Sequence, residues 1–319
     1  MCAAGLSLLL FSIAAITVAI PRLDHYSNIL PSARTIYIAQ RTNTERREPQ
    51  LLEIGQAKKV SSSAETPRQM KIVSYNIRWR GGDDLEKLIQ FLRSDSEIGG
   101  ARVIGLQEVD RNKKRTGNKN TVRVIAEELG MYYAWAAPPV AKVGLEEETG
   151  VAILSSYPLT DIQRLVLPHD GPGGRRRAAL GATISAGNTR LRFYSVHSET
   201  RIAVDKKMDQ MKAVLEDLGQ QPKEMPTIVL GDFNTWEGSA VKKTFKLFRQ
   251  EGFHTPFDDQ STFSRQILFF NLKLKLDWIW ARNLETKDYG INRKIDLSDH
   301  WPLWAIIEMS QNPKAGPTP

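Results

Sequence analysis

Five short polar clusters sit at the ends of apolar runs in this chain. Asn76 closes the run 71–76, Gln107 and Glu108 follow 103–106, and His197 follows 193–196. Asp232 and Asn234 follow 228–231, and Asp299 with His300 stands just before 303–307. Strand ends are rigid, so side chains placed there converge on one cleft with little positional freedom. Asn, Glu and Asp suit a hard cation that prefers oxygen ligands, while a histidine held by a carboxylate serves as acid or base near neutral pH. Each cluster alone has a plainer reading: an Asp after a strand is a turn former or helix cap, and a single His is a partly buried structural residue. Five such sites in one chain are hard to explain as five unrelated turns.

The elements that must carry these residues follow from periodicity. Residues 71–76, 103–106, 132–136, 150–154, 178–184, 191–196, 227–230, 276–280 and 303–307 read as strands, several of them continuous apolar runs of the buried type. Asp83 and Asp84 open a helix whose apolar positions Leu85, Leu88, Ile89 and Leu92 share one face, and further helices fall near 122–129 and 204–218. Helices and strands mix without strict alternation, which favours a layered α/β sandwich over a barrel. The 319 residues suit one large α/β domain over 70–309, with 1–20, 21–69 and 310–319 outside it.

Composition narrows the class further. Of the net +8, residues 1–69 hold eight Lys/Arg and five Asp/Glu, which leaves +5 to residues 70–319, a mild attraction for nucleic acid or phospholipid headgroups. The only cysteine is Cys2, which excludes an internal disulfide and a thiolate metal site in the body of the protein. Residues 2–20 are apolar and uncharged, enough to span a bilayer, and Thr17-Val18-Ala19 is an acceptable cleavage site, so 1–20 reads as a signal peptide or membrane anchor. Arg22, Arg34 and Arg41 follow this segment and no Lys or Arg precedes it, which by the positive-inside rule points the other way; the expectation is nevertheless an exported or membrane-anchored, extracytoplasmic monomer. Residues 21–69 read as a disordered linker and 310–319 as a disordered tail.

The ordered set Tyr75-Asn76-Ile77, Gln107-Glu108-Val109, Gly231-Asp232-Phe233-Asn234, Leu276-Asp277-Trp278-Ile279 and Ser298-Asp299-His300-Trp301-Pro302-Leu303 resembles the endonuclease/exonuclease/phosphatase superfamily, the fold of deoxyribonuclease I. The resemblance implies a four-layer α/β/β/α sandwich of two mixed sheets and a Mg2+-dependent phosphoesterase, with Mn2+ as a substitute. It implies Glu108 as the principal metal ligand, with Asn76 beside it and Asp299 as a further contact. Asp232 and Asn234 would surround the scissile phosphate, Asp277 would orient His300, and Glu148 would pair with His197, with Glu146 and Glu147 as adjacent candidates. Phosphodiester hydrolysis needs an activated water and neutralised charge on phosphoryl oxygens. Which histidine activates water stays open, and Asp232 is a competing base.

The substrate is less constrained. Arg78 lies two residues past Asn76, and residues 171–177 form a Gly-rich loop ending in Arg175, Arg176 and Arg177, from which Arg176 is taken to contact phosphate. Deoxyribonuclease I carries an Arg where Asp110 stands here and a Tyr where Glu146 stands, so DNA cleavage is not compelled. Residues 266–270 are apolar beside Lys273 and Lys275 and read as a buried strand, the alternative being a membrane-touching hairpin of sphingomyelinase type. The leading expectation is a phosphodiesterase or endonuclease; the alternative is a membrane-lipid phosphoesterase of sphingomyelinase or phosphoinositide phosphatase type.

Overall fold

The computed structural model describes residues 51–60, 66–139 and 148–309. Two sheets stack face to face. The first has seven strands in the order β1-β4-β5-β3-β2-β14-β13: Leu52–Gln56 (β1), Tyr132–Ala136 (β4), Glu148–Ser155 (β5), Val103–Arg111 (β3), Gln69–Asn76 (β2), Leu303–Glu308 (β14) and Glu285–Ile291 (β13). The second has five in the order β12-β9-β8-β7-β6: Asp277–Arg282, Thr227–Asp232, Thr189–His197, Ala178–Ala186 and Leu159–Val166. Parallel and antiparallel neighbours occur in both.

Alternation along the strands sorts the side chains into layers, since successive residues face opposite sides of a sheet. Ile72 and Val103 of the first sheet meet Phe193, Ile228 and Leu230 of the second in a central core. The other face of the first sheet, with Val73, Ile104 and Leu106, is covered by Leu88, Ile89 and Leu92 of Gly82–Ser94 (α1) and by Val122, Ile125 and Ala126 of Thr121–Leu129 (α2). The outer face of the second sheet, with Tyr194, Val229 and Trp278, is covered by Met211 and Val214 of Val204–Leu218 (α3) and by Phe248 of Gly238–Gln250 (α4). The result is the expected α/β/β/α sandwich. Its helices start where their sequences provide for it: Asp83 and Asp84 lie in the first turn of α1, and the Asn120 side chain caps α2 by accepting from the Val122 amide at 3.2 Å.

Two expectations need correction. Residues 52–56, assigned to the linker, form β1 and pair antiparallel with β4, from Leu52 opposite Ala136 to Gln56 opposite Tyr132. An edge strand of five residues with only Leu52 and Ile54 as apolar signals carries too little periodicity to stand out from a linker. Residues 266–270 are not buried: Phe263–Ile267 (β10) and Phe270–Leu274 (β11) form a separate two-stranded hairpin whose tip exposes Leu268 (79%) and Phe269 (98%). The expectations for residues 1–20 and 310–319, and the candidates Glu146 and Glu147, lie outside the described residues. No helix among the described residues is long and apolar enough to cross a membrane.

Candidate active site

Strand register assembles the second sheet's share of the site. His197 ends β8 opposite Asp232 at the end of β9, and Asp277 begins β12 opposite the same Asp232, so three polar side chains line up across three adjacent strands. Alternation explains their direction: Phe193, Ser195 and His197 share a face, as do Ile228, Leu230 and Asp232, and the apolar members of each set lie between the sheets. Gly231 permits this close pairing. Its φ is 135°, and a Cβ there would stand 2.0 Å from the Val196 carbonyl oxygen.

His300 is the best-held catalytic candidate. Its Nδ1 lies 2.9 Å from Asp277 Oδ2 and 3.1 Å from Oδ1, and Thr262 Oγ1 donates to Asp277 Oδ2 at 2.7 Å. Burial disfavours the imidazolium, but Asp277 and Asp232 outweigh it and push His300 up to about 10, so it is cationic at neutral pH. Asp232 is buried, which raises its carboxyl to about 7 against the lowering pull of His300, with Asp277 adding to the rise. Its oxygens accept from Asn76 Nδ2 at 3.0 Å and the Asn234 amide at 2.9 Å, and Oδ2 is 3.8 Å from His300 Nε2.

The first sheet contributes Asn76 and Glu108. Asn76 faces the second sheet at the end of β2, opposite Gln107 on β3. Glu108 is an extra residue in β3: the pairing with β5 slips between Gln107 and Val109, and Glu108 has φ 55°. Such a bulge re-aims a side chain while the strand continues. The Glu108 carboxylate thereby faces the cleft, 3.5 Å from Asn76 Nδ2 and with no ion-pair partner among the described residues. Asp299, from the loop before β14, is 3.2 Å from the Arg78 guanidinium. Asn76 turns its amide nitrogen to Glu108 while its Oδ1 accepts from the Arg78 amide at 3.1 Å, and Glu108 and Asp299 line the same cleft. Two carboxylates on one cleft, one half-buried and without an ion pair among the described residues, are the hard oxygen donors that a divalent cation takes. Asp232, Asp277 and His300 also bring three donor atoms within 4.8 Å of one another. Both Asp277 oxygens are engaged by His300, and one also by Thr262, so that group reads as a hydrogen-bonded network and not as a vacant ligand cage.

Other candidates fall differently from the sequence reading. The His197–Glu148 pair does not form. Glu148 opens β5 opposite Arg111, and its carboxylate accepts from Arg111 Nε at 2.7 Å on the far side of the Glu108 bulge. His197 instead meets Arg177 through Nδ1 at 3.4 Å and Asp232 through Nε2 at 3.6 Å. Arg176 turns away from the cleft to Asp170 at 2.8 Å and the Leu167 carbonyl at 3.1 Å, while Arg175 lines the cleft. Asn234 is at the site, with φ 52°; its amide nitrogen donates to the Ser198 carbonyl at 3.0 Å and its oxygen accepts from Thr200 Oγ1 at 3.1 Å. Sequence reasoning missed Thr262 and Glu199, neither of which lies in a motif that signals its role, and it named Arg177 only as part of the arginine run 175–177, not as the partner of His197.

These residues border a cleft of about 1120 Å³. Its polar lining includes Arg78, Glu108, His197, Asp232, Asn234, Asp299 and His300. The hairpin adds Phe263, Ile267, Leu272 and Leu274, together with Arg265, and Trp236 is half exposed there.

The chain belongs to the endonuclease/exonuclease/phosphatase family, whose model matches residues 73–300. Hydrolysis of phosphoester bonds is the chemistry of that family, which is generally dependent on divalent metal. No curated protein matches the sequence. Among solved structures it is similar to an endonuclease/exonuclease/phosphatase family protein from Leptotrichia buccalis, at 20% identity over 75% of this chain and 100% of that one, with a TM-score of 0.59. It is also similar to the human Nocturnin catalytic domain with bound sulfate, at 16% identity over 78% of this chain and 100% of that one, TM-score 0.59. A third is D. rerio TDP2 complexed with single-strand DNA product, at 14% identity over 76% of this chain and 100% of that one, TM-score 0.58. At these identities the likeness concerns the fold.

Proposed function

We propose that this protein is a Mg2+-dependent phosphodiesterase that cleaves a nucleic-acid strand. The observation that carries the reading is the convergence, in one cleft, of the Glu108 and Asp299 carboxylates with the protonated His300 and the buried Asp232, which Asn76 holds from behind through its Nδ2 at 3.0 Å. Arg78 and Arg175 on the same cleft add cationic surface for phosphate, and the TDP2 structure in complex with a single-strand DNA product supports a polynucleotide as ligand for this fold.

Mg2+, or Mn2+ in its place, would be held by Glu108 with Asn76 and Asp299. When bound, it supplies neutralisation of charge on the phosphoryl oxygens. The chain's own groups supply the rest. Asp232, with a carboxyl raised to about 7, is suited to take the proton of an attacking water at neutral pH. His300 Nε2, 3.8 Å from Asp232 Oδ2 on the same cleft, would steady a phosphoryl oxygen as a charged donor. Asn234 has a second amide hydrogen for a phosphoryl oxygen beyond the one given to the Ser198 carbonyl. An in-line displacement breaks the phosphorus–oxygen bond on the side away from Asp232, and the leaving oxygen takes its proton from water in the cleft.

A membrane-lipid phosphoester is the second reading, favoured by the exposed Leu268 and Phe269 at the tip of a hairpin whose base lines the same cleft. The test is an assay of the purified full-length chain against plasmid DNA, single-stranded DNA, RNA, sphingomyelin vesicles and phosphoinositides. Each is run with Mg2+, with Mn2+ and with EDTA. Nucleic-acid cleavage that is lost in EDTA and returns with Mg2+ supports the first reading. Hydrolysis of lipid alone moves the substrate to the second, and metal-independent turnover of either overturns the metal assignment.

A further inference from the structure

His300 and His197 flank Asp232, yet their surroundings have opposite sign. His300 Nδ1 faces the Asp277 carboxylate, whereas His197 Nδ1 faces the Arg177 guanidinium at 3.4 Å. A guanidinium only donates, so His197 Nδ1 must accept and the ring proton sits on Nε2, a tautomer assigned here from the hydrogen-bond network. That Nε2 points at Asp232 Oδ2 from 3.6 Å, on the wall of the cleft.

Arg177 is fixed in place from behind. Its Nε donates to Glu199 Oε2 at 3.2 Å, and the Glu199 side chain is completely buried. The same carboxylate accepts from both Nε and Nη2 of Arg175 and from the Arg201 amide at 3.1 Å. The Glu199 amide donates to Gln210 Oε1 at 2.8 Å, and Gln210 in turn is tied to the Pro168 carbonyl at 2.7 Å. Gly171 closes over the carboxylate so tightly that a Cβ there would lie 2.5 Å from the Glu199 carboxyl carbon. A buried anion with this many partners is a rigid support, whose loss would leave Arg177 free to leave the ring.

We propose that Arg177, anchored by the buried Glu199, is a positioning residue that fixes His197 as a neutral imidazole donating its Nε2 hydrogen to a phosphoryl oxygen. The inference rests on the cleft being a phosphoesterase site and is independent of which phosphoester fills it. It divides the labour of the two histidines: His300 is the charged group, and His197 transfers no proton. Burial and the nearby Arg177 also hold His197 well below the ordinary imidazole range, in keeping with this geometry. Aligned donors of this kind stabilise charge that develops on phosphoryl oxygens without reorganising during the reaction.

The test uses the full-length chain in two measurements. In the first, nitrogen NMR of the metal-free protein labelled on its histidine rings reads the tautomer, with His197→Ala assigning the signal. The expected result is an Nε2-protonated neutral ring at neutral pH, lost to a tautomer mixture or an imidazolium in Arg177→Met. An Nδ1-protonated ring in the unaltered protein, or a signal unmoved by Arg177→Met, overturns the proposal whether or not any substrate has been found. In the second, Arg177→Met and Glu199→Gln lower kcat by on the order of tenfold to a hundredfold with a smaller change in KM, and Arg177→Lys restores part of it. Adding Arg177→Met to His197→Ala costs less than about threefold more, because the two act as a unit. A fall in melting temperature with kcat per folded molecule unchanged, in both Arg177→Met and Arg177→Lys, refutes the positioning role.

Discussion

Replacing Asp277 by Asn changes one atom type and almost no volume, at a point where the structure concentrates charge. The wild-type carboxylate takes His300 Nδ1 at 2.9 Å and Thr262 Oγ1 at 2.7 Å, and His300 is pushed up to about 10 from an ordinary 6.5. At about 1.36 kcal/mol per unit, a displacement of that size corresponds to roughly 5 kcal/mol favouring the imidazolium, an upper figure for a buried pair. With the charge removed, burial still disfavours the cation and only Asp232 and, more weakly, Asp299 oppose it, so His300 falls to the ordinary imidazole value or below. At pH 7.5 the imidazolium then drops from nearly all molecules to about one-tenth or fewer. Lost population alone costs about tenfold, and lost orientation brings the total to on the order of a hundredfold to a thousandfold in kcat. The assay is turnover of a chromogenic phosphodiester with Mg2+ from pH 5.5 to 9, normalised to wild type at each pH, with a melting temperature for each protein. The deficit should shrink toward pH 5.5 as the imidazolium returns. Asp277→Asn turning over within about threefold of wild type at pH 7.5, or a deficit independent of pH, would refute the charged role of His300.

Glu108→Gln should abolish metal-dependent turnover and leave the melting temperature in EDTA within about 1 °C of wild type, since the carboxylate has no ion-pair partner to lose among the described residues; near-normal turnover at saturating Mg2+ would sink the ligand assignment. In EDTA the site should lose stability as pH rises. Asp232, raised to about 7 from 3.8, holds its proton in the native state longer than in the unfolded one, so stability falls between about pH 4 and 7; the His300 contribution is complete below 6.5 and is lost as pH rises through about 10. Asp232→Asn should flatten the lower part of that curve in scanning calorimetry, and an unchanged slope would count against the raised carboxyl. Gly231→Ala should destabilise by more than about 3 kcal/mol in denaturant titration, because its Cβ would stand 2.0 Å from the Val196 carbonyl oxygen at a φ of 135°; a loss below about 1 kcal/mol would show that β8 and β9 can separate freely. Phe269→Asn together with Leu268→Ser should leave cleavage of soluble phosphodiesters unchanged and abolish any vesicle binding, measured by cosedimentation; unchanged vesicle binding would remove the hairpin from the lipid reading.

Much of the site was legible because its residues lie at the ends of apolar runs, and those ends are local. The runs ending at Asn76, His197 and Asp232 could be read as strands without knowledge of their neighbours, and the order of the motifs carried the family. The helices at 82–94, 121–129 and 204–218 followed from one-sided apolar spacing. Position 52–56 escaped because an edge strand needs only one partner and little apolar signal, and its partner β4 lies some eighty residues away. The apolar segment 266–270 was misread because hydrophobicity reports a preference for burial, and a hairpin tip with nothing to pack against has that preference unmet.

What only tertiary structure decided was pairing between distant segments. No spacing in the sequence states that His197, Asp232 and Asp277 share one line across three strands, because register is set by the fit of whole strands in the sandwich. Nor does it reveal that β3 slips by one residue at Glu108 and turns a carboxylate into the cleft. The partner of His197 shows the difference most clearly. The family resemblance implied Glu148, yet the fold gives Glu148 to Arg111 and brings Arg177, backed by Glu199, to the imidazole. The sequence determines which chemical groups are available at strand ends; the charge each one feels is a sum over neighbours from several strands and loops, and exists only once the two sheets have closed on each other.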